Sequence, residues 1–308
     1  MLLTNLVLAA MIAPFTEPVY DVTVEQDVPY AVVQGYYTHA PVEDKGETFK
    51  LLFHSGIPKP VTLEMDIYTP SGAPDGSRPL LMMMHGGSFF IGNKEEPGQA
   101  GWCRYFASLG YVAVSINYRL GYHADRREIR QAEIRALEDA DAALAYLLGR
   151  ADLRIDPDRV FAAGTSAGAV TALNLAFRLY GNRPMEEVQP RLGKGFRIRA
   201  VANLWGAVHD LSVLENATVP ILSFQSVSDP VMPYDGGYPL GLAGRLFSDK
   251  VYGTHAVHEK ARATGLRSEH HPCEEPRHRL HLDDAFQYTP RFYEIRDAMA
   301  RFFAREME

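Results

Sequence analysis

The chain has 308 residues, of which 46% are hydrophobic and 22% are charged, a composition typical of a globular protein and not of a disordered, collagen-like or coiled-coil one. Its formal net charge is -7 at pH 7, and no run of Lys or Arg forms a basic stripe. Because nucleic-acid binding requires concentrated positive charge, nucleic acid is not an expected partner.

The first 13 residues are apolar and too few to span a bilayer, which takes about 20 residues. Their length suits the hydrophobic part of a signal peptide, although no Lys or Arg precedes them. Two interpretations stay open: a signal-like segment of an exported protein, or a buried N-terminal segment of a cytoplasmic one. No other stretch predicts a transmembrane helix. Residues 14–308 contain no repeat or low-complexity linker, so we expect them to form a single domain with short loop insertions.

Beyond this segment, short β-branched or apolar runs alternate with longer stretches of helical periodicity. This alternation is typical of an α/β fold with a mainly parallel sheet that helices cover on both faces. In chain order, the predicted strands are 62–68, 80–84, 111–116, 159–163, 199–204, 219–224 and 267–271. The predicted helices are 129–148, 167–180, 254–264 and 292–303. Thr254 is the expected N-cap of the third helix, and Gly265 its stop. A turn is predicted at Asp156-Pro157-Asp158.

The two cysteines, Cys103 and Cys273, lie far apart in the sequence and form no CxxC pair. This spacing excludes a zinc ribbon or a disulfide-dense scaffold. Two buried free thiols are the expected state, and a disulfide stays open only for an exported protein.

The motif Gly164-Thr165-Ser166-Ala167-Gly168 follows one predicted strand and opens the next predicted helix. A strand–turn–helix of this kind exposes a serine above the sheet edge, at a helix N-terminus that favours developing negative charge. The sequence therefore predicts Ser166 as a nucleophile, the alternative being an ordinary N-cap serine in a glycine-rich turn. The segment from His85 to Gly92 (HGGSFFIG) follows an earlier strand, and its glycines allow backbone N–H groups to approach an oxyanion closely.

Four segments of the chain resemble the carboxylesterases of the α/β-hydrolase fold. They are HGGSFFIG (85–92), INYRLG (116–121), DPDRVFAAGTSAGA (156–169) and SVSDPVMPY (226–234). The resemblance implies a mostly parallel central sheet of about eight strands with helices on both faces. It also implies an oxyanion hole made by the N–H groups of Gly87, Ser88 and Ala167, and a triad in the order Ser, acid, His. Ser88 stands where many members of the family have a third glycine, which matters only if that position needs a positive φ.

The expected acid of the triad is Asp229, because it follows the strand predicted at 219–224. Asp210 is too early for this role and Asp235 lies further into the loop. The histidine is expected in the loop after the last strand, which contains His278 and His281. Resemblance to the endings of some bacterial esterases favours His278, and His281 is the alternative. Without clustered carboxylates or further cysteines, a metal site on this pair is not favoured, and no metal or organic cofactor is expected.

The resemblance implies a serine hydrolase that cleaves carboxylic esters through an acyl-enzyme. The absence of a long apolar insertion of the lipase-lid type favours short-chain or aryl esters over triglycerides. Phe89, Phe90 and Tyr234 are candidate pocket residues, while Arg126, Arg127 and Arg130 suggest a solvated helix face. Other readings are a peptidase, a feruloyl or acetylxylan esterase or a polyester hydrolase on the same fold, so the substrate is a small-molecule or a polymer ester. A more distant reading is a binding module that has lost its chemistry.

Overall fold

The structure, a computed structural model, describes residues 15–40, 57–123, 126–246 and 248–307. The signal-like segment predicted at residues 1–13 lies outside these ranges. Within them, no helix has both the length and the apolar character that crossing a membrane requires.

Strands and helices alternate along most of the described chain. The strands are β1 (Asp21–Gly35), β2 (Lys59–Ser71), β3 (Arg78–Met84), β4 (Val112–Ile116), β5 (Ile155–Thr165), β6 (Ile198–Leu204), β7 (Ile221–Ser226), β8 (Gly236–Gly237), β9 (Val251–Tyr252) and β10 (Ser268–Cys273). The α-helices are α1 (Pro97–Ser108), α2 (Arg126–Gly149), α3 (Ala167–Asn174), α4 (Gly241–Gly244), α5 (Thr254–Thr264) and α6 (Pro290–Arg305). A π-helical turn, Leu175–Leu179, continues α3.

Eight of the described strands form one sheet in the order β1-β2-β4-β3-β5-β6-β7-β10. The strands from β4 to β10 in this order pair in parallel, whereas β1 and β2 join antiparallel at one side. The prediction of a mostly parallel sheet of about eight strands is therefore confirmed. Parallel strands bring their carboxyl ends to one edge, so the loops after β3, β5, β7 and β10 lie on the same side of the molecule.

Hydrophobic side chains fill both faces of the sheet. Alternate residues of β3 point to opposite faces: Leu80 and Met82 belong to one buried cluster, and Leu81 and Met83 to the other. Helices α2, α3 and α5 cover the first cluster, and α1 and α6 cover the second. The prediction of helices on both faces is also confirmed.

Several local predictions differ from the structure. Two long elements, β1 and α1, and the three short elements β8, β9 and α4 were not predicted. The N-cap of α5 is Gly253, so Thr254 is the first helical residue, where its side chain is buried. Residues 156–158 lie within β5, at a register shift against β3, where Asp156 Oδ1 accepts from Asp158 N at 3.0 Å. Gly265 does end α5, in the left-handed conformation that a glycine stop requires.

Both cysteines are free and buried. Burial raises the pKa of the Cys103 thiol well above its ordinary value and that of Cys273 to about 11. Neither side chain therefore forms the reactive thiolate near neutral pH.

Glycines allow an unusually close contact between β3, β5 and α3. A Cβ atom at Gly168 would lie 2.0 Å from the carbonyl oxygen of Met84, and one at Gly164 would lie 2.3 Å from the carbonyl carbon of Gly168. Backbone atoms cannot yield as a flexible side chain would. The glycines on either side of Ser166 are therefore required by packing between the first turn of α3 and the ends of two strands.

We expect Gly168→Ala to destabilise the protein by about 1–3 kcal/mol or more, because the new methyl group would push backbone segments apart. Gly149→Ala is the matched control: Gly149 ends α2 with nothing within 4 Å of its Cβ position, so the change in stability should stay under about 1 kcal/mol. Urea denaturation of the two variants measures the difference. Equal stabilities would contradict the packing argument.

Candidate active site

Ser166 lies in the sharp turn between β5 and α3. Its backbone is held at φ 52 and ψ -116, a region that non-glycine residues rarely occupy. The Ser166 N–H donates to the Leu204 carbonyl of β6 at 2.8 Å, and the Ser166 carbonyl accepts from Val170 N at 3.0 Å. These contacts to a strand and to a helix hold the strained turn in place. They put the hydroxyl at the carboxyl edge of the sheet, beside the first turn of α3.

His278 lies between Ser166 and Asp229. Its Nε2 is 2.8 Å from the Ser166 Oγ, and its Nδ1 is 2.9 and 2.8 Å from the two carboxylate oxygens of Asp229. Because an ionised carboxylate only accepts hydrogen bonds, Nδ1 carries the proton in this arrangement. Nε2 is then free to accept the proton of the Ser166 hydroxyl.

Asp229 is fully enclosed, its side chain being 0% exposed. Its Oδ1 accepts from the backbone N–H groups of Val231 at 2.8 Å and Met232 at 3.1 Å. The side chain of Gln225 donates to Oδ2 at 3.3 Å. Besides His278, three hydrogen-bond donors therefore hold this buried side chain in place.

His281, the alternative histidine, belongs to a different pair. Its Nε2 is 2.9 Å from Glu96 Oε1, and its ring lies against Trp102 at 4.9 Å between centroids. Glu96 also accepts from Gln99 N at the start of α1. Burial alone would raise the pKa of Glu96, but His281 and this N–H together lower it. The geometry thus brings His278, and not His281, to the Ser166 hydroxyl.

The loop after β3 runs alongside this group. Gly87 and Ser88 both have positive φ values, 105 and 55, and a Cβ at Gly87 would lie 2.0 Å from the Ile91 carbonyl oxygen. Ser88 therefore does adopt the strained conformation that a glycine would take without cost. Gly86 packs on the nucleophile turn, its Cβ position being 3.3 Å from Ser166 Cβ. The candidate oxyanion donors lie next to the candidate nucleophile.

Two buried groups anchor the ends of that loop. At its start, the His85 ring stacks on Tyr118 at 4.2 Å, and burial lowers its pKa to about 4, so it is neutral at neutral pH. At its end, the Lys94 ammonium lies 2.7 Å from Asp66 and Asp27. Burial acts to lower the pKa of Lys94, but hydrogen bonds to these carboxylates raise it above its ordinary value.

Ser166 borders two pockets. One, of about 150 Å³, has largely apolar walls that include Phe89, Val170 and Met232. The other, of about 400 Å³, is more polar and is lined by residues of the loop after β3 and by the segment that contains His278. A molecule bound at Ser166 would therefore have space for one substituent in each of the two pockets.

Of the candidate pocket residues, only Phe89 lines either of these two pockets. Phe90 packs against Tyr122 at 5.3 Å, and Tyr234 stacks on His255 at 5.0 Å. Of the three arginines that the sequence suggested as a solvated face, Arg126 and Arg127 are exposed. Arg126 and the less exposed Arg130 also line the smaller pocket.

An ion pair that the sequence analysis did not anticipate lines the smaller pocket. His209 Nε2 is 2.8 Å from Glu133 Oε2, and Arg130 donates to the same oxygen at 2.9 Å. Burial alone would raise the pKa of Glu133, but His209 and Arg130 lower it. For His209, burial acts to lower the pKa and the Glu133 carboxylate raises it above its ordinary value.

Among the described residues, no group of three or more His, Cys, Asp or Glu side chains could hold a metal ion. The reactive groups that the structure does assemble are a serine hydroxyl, an imidazole and a carboxylate in hydrogen-bonded order. Together with the strand–turn–helix that carries Ser166, this arrangement defines a serine hydrolase of the α/β-hydrolase class.

The model of the BD-FAE family matches residues 65–232, more than half of the chain. The chain belongs to this family, an α/β-hydrolase-type esterase domain. The matched segment contains the loop after β3, the Ser166 turn and Asp229. It ends before His278.

Solved structures of esterases have the same fold. One is esterase 2 of Thermogutta terrifontis, phosphorylated by paraoxon. Its sequence is 20% identical, and the superposition, with a TM-score of 0.59, covers 80% of this chain and 90% of the esterase chain. Another is an inhibited esterase B of Lactobacillus rhamnosis. Its sequence is 17% identical, and the superposition, also with a TM-score of 0.59, covers 99% of this chain and 94% of the esterase chain. At these identities the likeness establishes the α/β-hydrolase fold.

The curated relatives match less than half of this chain. The non-reducing polyketide synthase pkbA of Emericella nidulans is 31% identical over 129 residues, 40% of this chain. The 5-methylorsellinic acid synthase of Aspergillus terreus is 30% identical over 156 residues, 47% of this chain. In both cases the match spans only 5% of the relative's own length.

The Glu133–His209 pair makes stability depend on pH in a defined window. A lowered carboxyl pKa stabilises the folded state above the ordinary value of about 4.5, and this stability is lost as the pH falls through the lowered pKa. A raised histidine pKa stabilises the folded state below the ordinary value of about 6.5, and this stability is lost as the pH rises through the raised pKa. The pair therefore contributes most between about pH 4.5 and 6.5.

We expect His209→Gln to lower the free energy of unfolding by about 1.5–3 kcal/mol at about pH 5.5, and by less at about pH 8.5. His255→Gln is the matched control, because His255 pairs with Asp235 at the exposed surface, where such pairs contribute little. Urea denaturation at the two pH values measures both variants. A His209 effect that is the same at both pH values would contradict the charged state of the pair.

Proposed function

We propose that the protein hydrolyses carboxylic ester bonds through an acyl-enzyme on Ser166. The observation that carries this proposal is the continuous hydrogen-bonded order of Ser166, His278 and Asp229, with 2.8 Å between the hydroxyl and the imidazole. Membership of an esterase family supports the same reaction.

In the proposed reaction, the Ser166 Oγ attacks the ester carbonyl while His278 Nε2 takes its proton. Asp229 keeps the imidazole in the required tautomer and stabilises the imidazolium that forms. The N–H groups of Gly87, Ser88 and Ala167 receive the oxyanion. His278 then protonates the leaving alcohol, and a water molecule, deprotonated by the same imidazole, releases the acid.

The size of the smaller pocket supports short-chain or aryl acyl groups. The cavity has a volume of about 150 Å³ and largely apolar walls. A cavity of this volume holds a group the size of benzene, so it accommodates an aromatic ring or a chain of a few carbons. The larger, more polar pocket of about 400 Å³ would then receive the alcohol. A peptidase or a polymer esterase on the same fold would use this larger side for its extended substrate.

Ser166→Ala should abolish turnover of p-nitrophenyl acetate, with a loss of at least about 10³-fold in kcat, because no nucleophile remains. His278→Ala should cause a comparable loss because the base is gone. The melting temperature should change little in the serine variant, since one oxygen atom is removed from a packed turn.

His281→Ala serves as the comparison in the same assay. It should lower the melting temperature, since His281 fills a buried site beside Trp102, and it should retain Ser166-dependent turnover. If folded His281→Ala is inactive and His278→Ala is active, His281 is the base and the proposed triad is wrong. Folded wild-type protein that hydrolyses no ester would refute the proposed function itself.

Acyl-chain preference tests the assignment of the smaller pocket. From p-nitrophenyl acetate to laurate, kcat/KM should fall beyond about four to six acyl carbons, the length that a pocket of this volume accommodates. Met232→Ala removes part of the pocket wall and should shift the preference towards longer chains. A wild-type rate that rises steadily to laurate would contradict the assignment.

A further inference from the structure

Gln225 is one of three polar residues in the buried strand β7, with Ser223 and Ser226. Its side chain is 0% exposed, yet every hydrogen-bonding direction of its amide is used. Oε1 accepts from Thr254 at the start of α5, both from the backbone N–H at 3.1 Å and from the hydroxyl at 2.8 Å. Nε2 donates to Asp229 Oδ2 at 3.3 Å and to the carbonyl oxygens of Met232 at 3.0 Å and Pro233 at 3.4 Å.

These partners fix the orientation of the amide. If Oε1 and Nε2 were exchanged, the NH₂ group would face the N–H of Thr254, and the oxygen would face a carboxylate and two carbonyl oxygens. Gln225 therefore joins two segments in one way only: it accepts from the first turn of α5 and donates to the loop that carries Asp229.

The same reasoning fixes the direction of the neighbouring hydrogen bonds. The Thr254 hydroxyl gives its only proton to Gln225, so His270 Nε2, at 3.1 Å from that hydroxyl, must be the donor to it. Each side chain therefore donates to the next one: His270 donates to Thr254, Thr254 donates to Gln225, and Gln225 donates to Asp229. Hydrogen bonds arranged in this way polarise one another.

Gln225 differs from the other groups that bind the Asp229 carboxylate. Within the described part of the chain, the hydrogen bonds to this carboxylate come from two backbone N–H groups on Oδ1, from His278, and from Gln225 on Oδ2. Gln225 is the one side chain besides His278 among these donors. Because its amide also holds the carbonyls of residues 232 and 233, it controls both the position of the acid loop and the charge on Oδ2.

We propose that Gln225 is a positioning residue that orients Asp229 and thereby His278 for the reaction at Ser166. This role rests on the proposed function. Loss of the amide donor leaves more negative charge on the Asp229 oxygens, which favours the protonated imidazole, and leaves the carboxylate less firmly oriented. Both effects act on the rate of the chemical step, and Gln225 itself lines neither of the two pockets beside Ser166.

The test compares Gln225→Leu with wild-type enzyme and with Ser223→Ala. Ser223 is a matched control because it is buried in the same strand and, among the described residues, its hydroxyl has no hydrogen-bond partner. For Gln225→Leu we expect kcat on p-nitrophenyl acetate to fall about 10- to 100-fold, as for a small misplacement of a reacting group, with KM nearly unchanged. The acid limb of the pH profile of kcat/KM should move to higher pH. Ser223→Ala should alter neither.

A second variant covers the case in which Gln225→Leu does not fold. Gln225→Glu preserves the size of the side chain and an oxygen that faces Thr254, and when ionised it puts a second negative charge beside Asp229. Its acid limb should move further than that of the leucine variant. The NMR signal of the His278 Nδ1 proton should shift in both Gln225 variants and not in Ser223→Ala.

The outcomes separate the two proposals. Folded Gln225 variants with wild-type kcat, an unmoved acid limb and an unchanged Nδ1 proton signal would overturn the positioning role and leave the esterase function intact. A wild-type protein without Ser166-dependent turnover would overturn the esterase function and the positioning role together. A fall in kcat with shifts of the acid limb and of the proton signal supports both.

Discussion

The contact between Gly168 and the end of β3 is the constraint on which the site depends. A Cβ atom at Gly168 would lie 2.0 Å from the Met84 carbonyl oxygen. The first turn of α3 can therefore approach the sheet this closely only because residue 168 has no side chain. That approach forces the sharp turn at Ser166 and brings the loop after β3 beside it. The strain in Ser166 is tolerated because hydrogen bonds to β6 and within the first turn of α3 hold its backbone. One packing contact thus sets the distance between the candidate nucleophile and its candidate oxyanion donors.

The parallel sheet assembles the remaining groups. The segments that carry Ser166, Asp229 and His278 leave the carboxyl ends of β5, β7 and β10, so residues far apart in sequence meet above one edge. Buried polar contacts then set the fine positions. Backbone N–H groups and Gln225 hold Asp229, and Asp229 orients the imidazole. The two pockets that border Ser166 differ in volume and in the polarity of their walls.

The sequence alone predicted the parts of the site that impose strong local requirements. Glycines around Ser166 and after β3 follow from backbone approach, and apolar runs follow from burial on both faces of the sheet. The histidine stayed open between His278 and His281, because both lie in one loop and only tertiary contacts separate them. Gln225 has no local signal, since a polar residue in a buried strand does not show which carboxylate it meets. Strand β1 was missed because it is largely exposed, contains Pro29 and has irregular register, and α1 because its Pro and Gly residues weaken helical propensity.

Strand β10 lies at the end of the sheet, so the stability of the site differs from the stability of the whole fold. Among the described strands, β10 pairs only with β7, and the segment that carries His278 follows it. Ser166, in contrast, follows β5, which lies in the interior of the sheet between β3 and β6. Local opening of the outermost strand therefore removes the imidazole from the hydroxyl while the nucleophile turn stays folded. Loss of activity on heating is then a separate event from unfolding of the whole protein. Hydrogen exchange in β10 reports the local opening that causes the loss of activity.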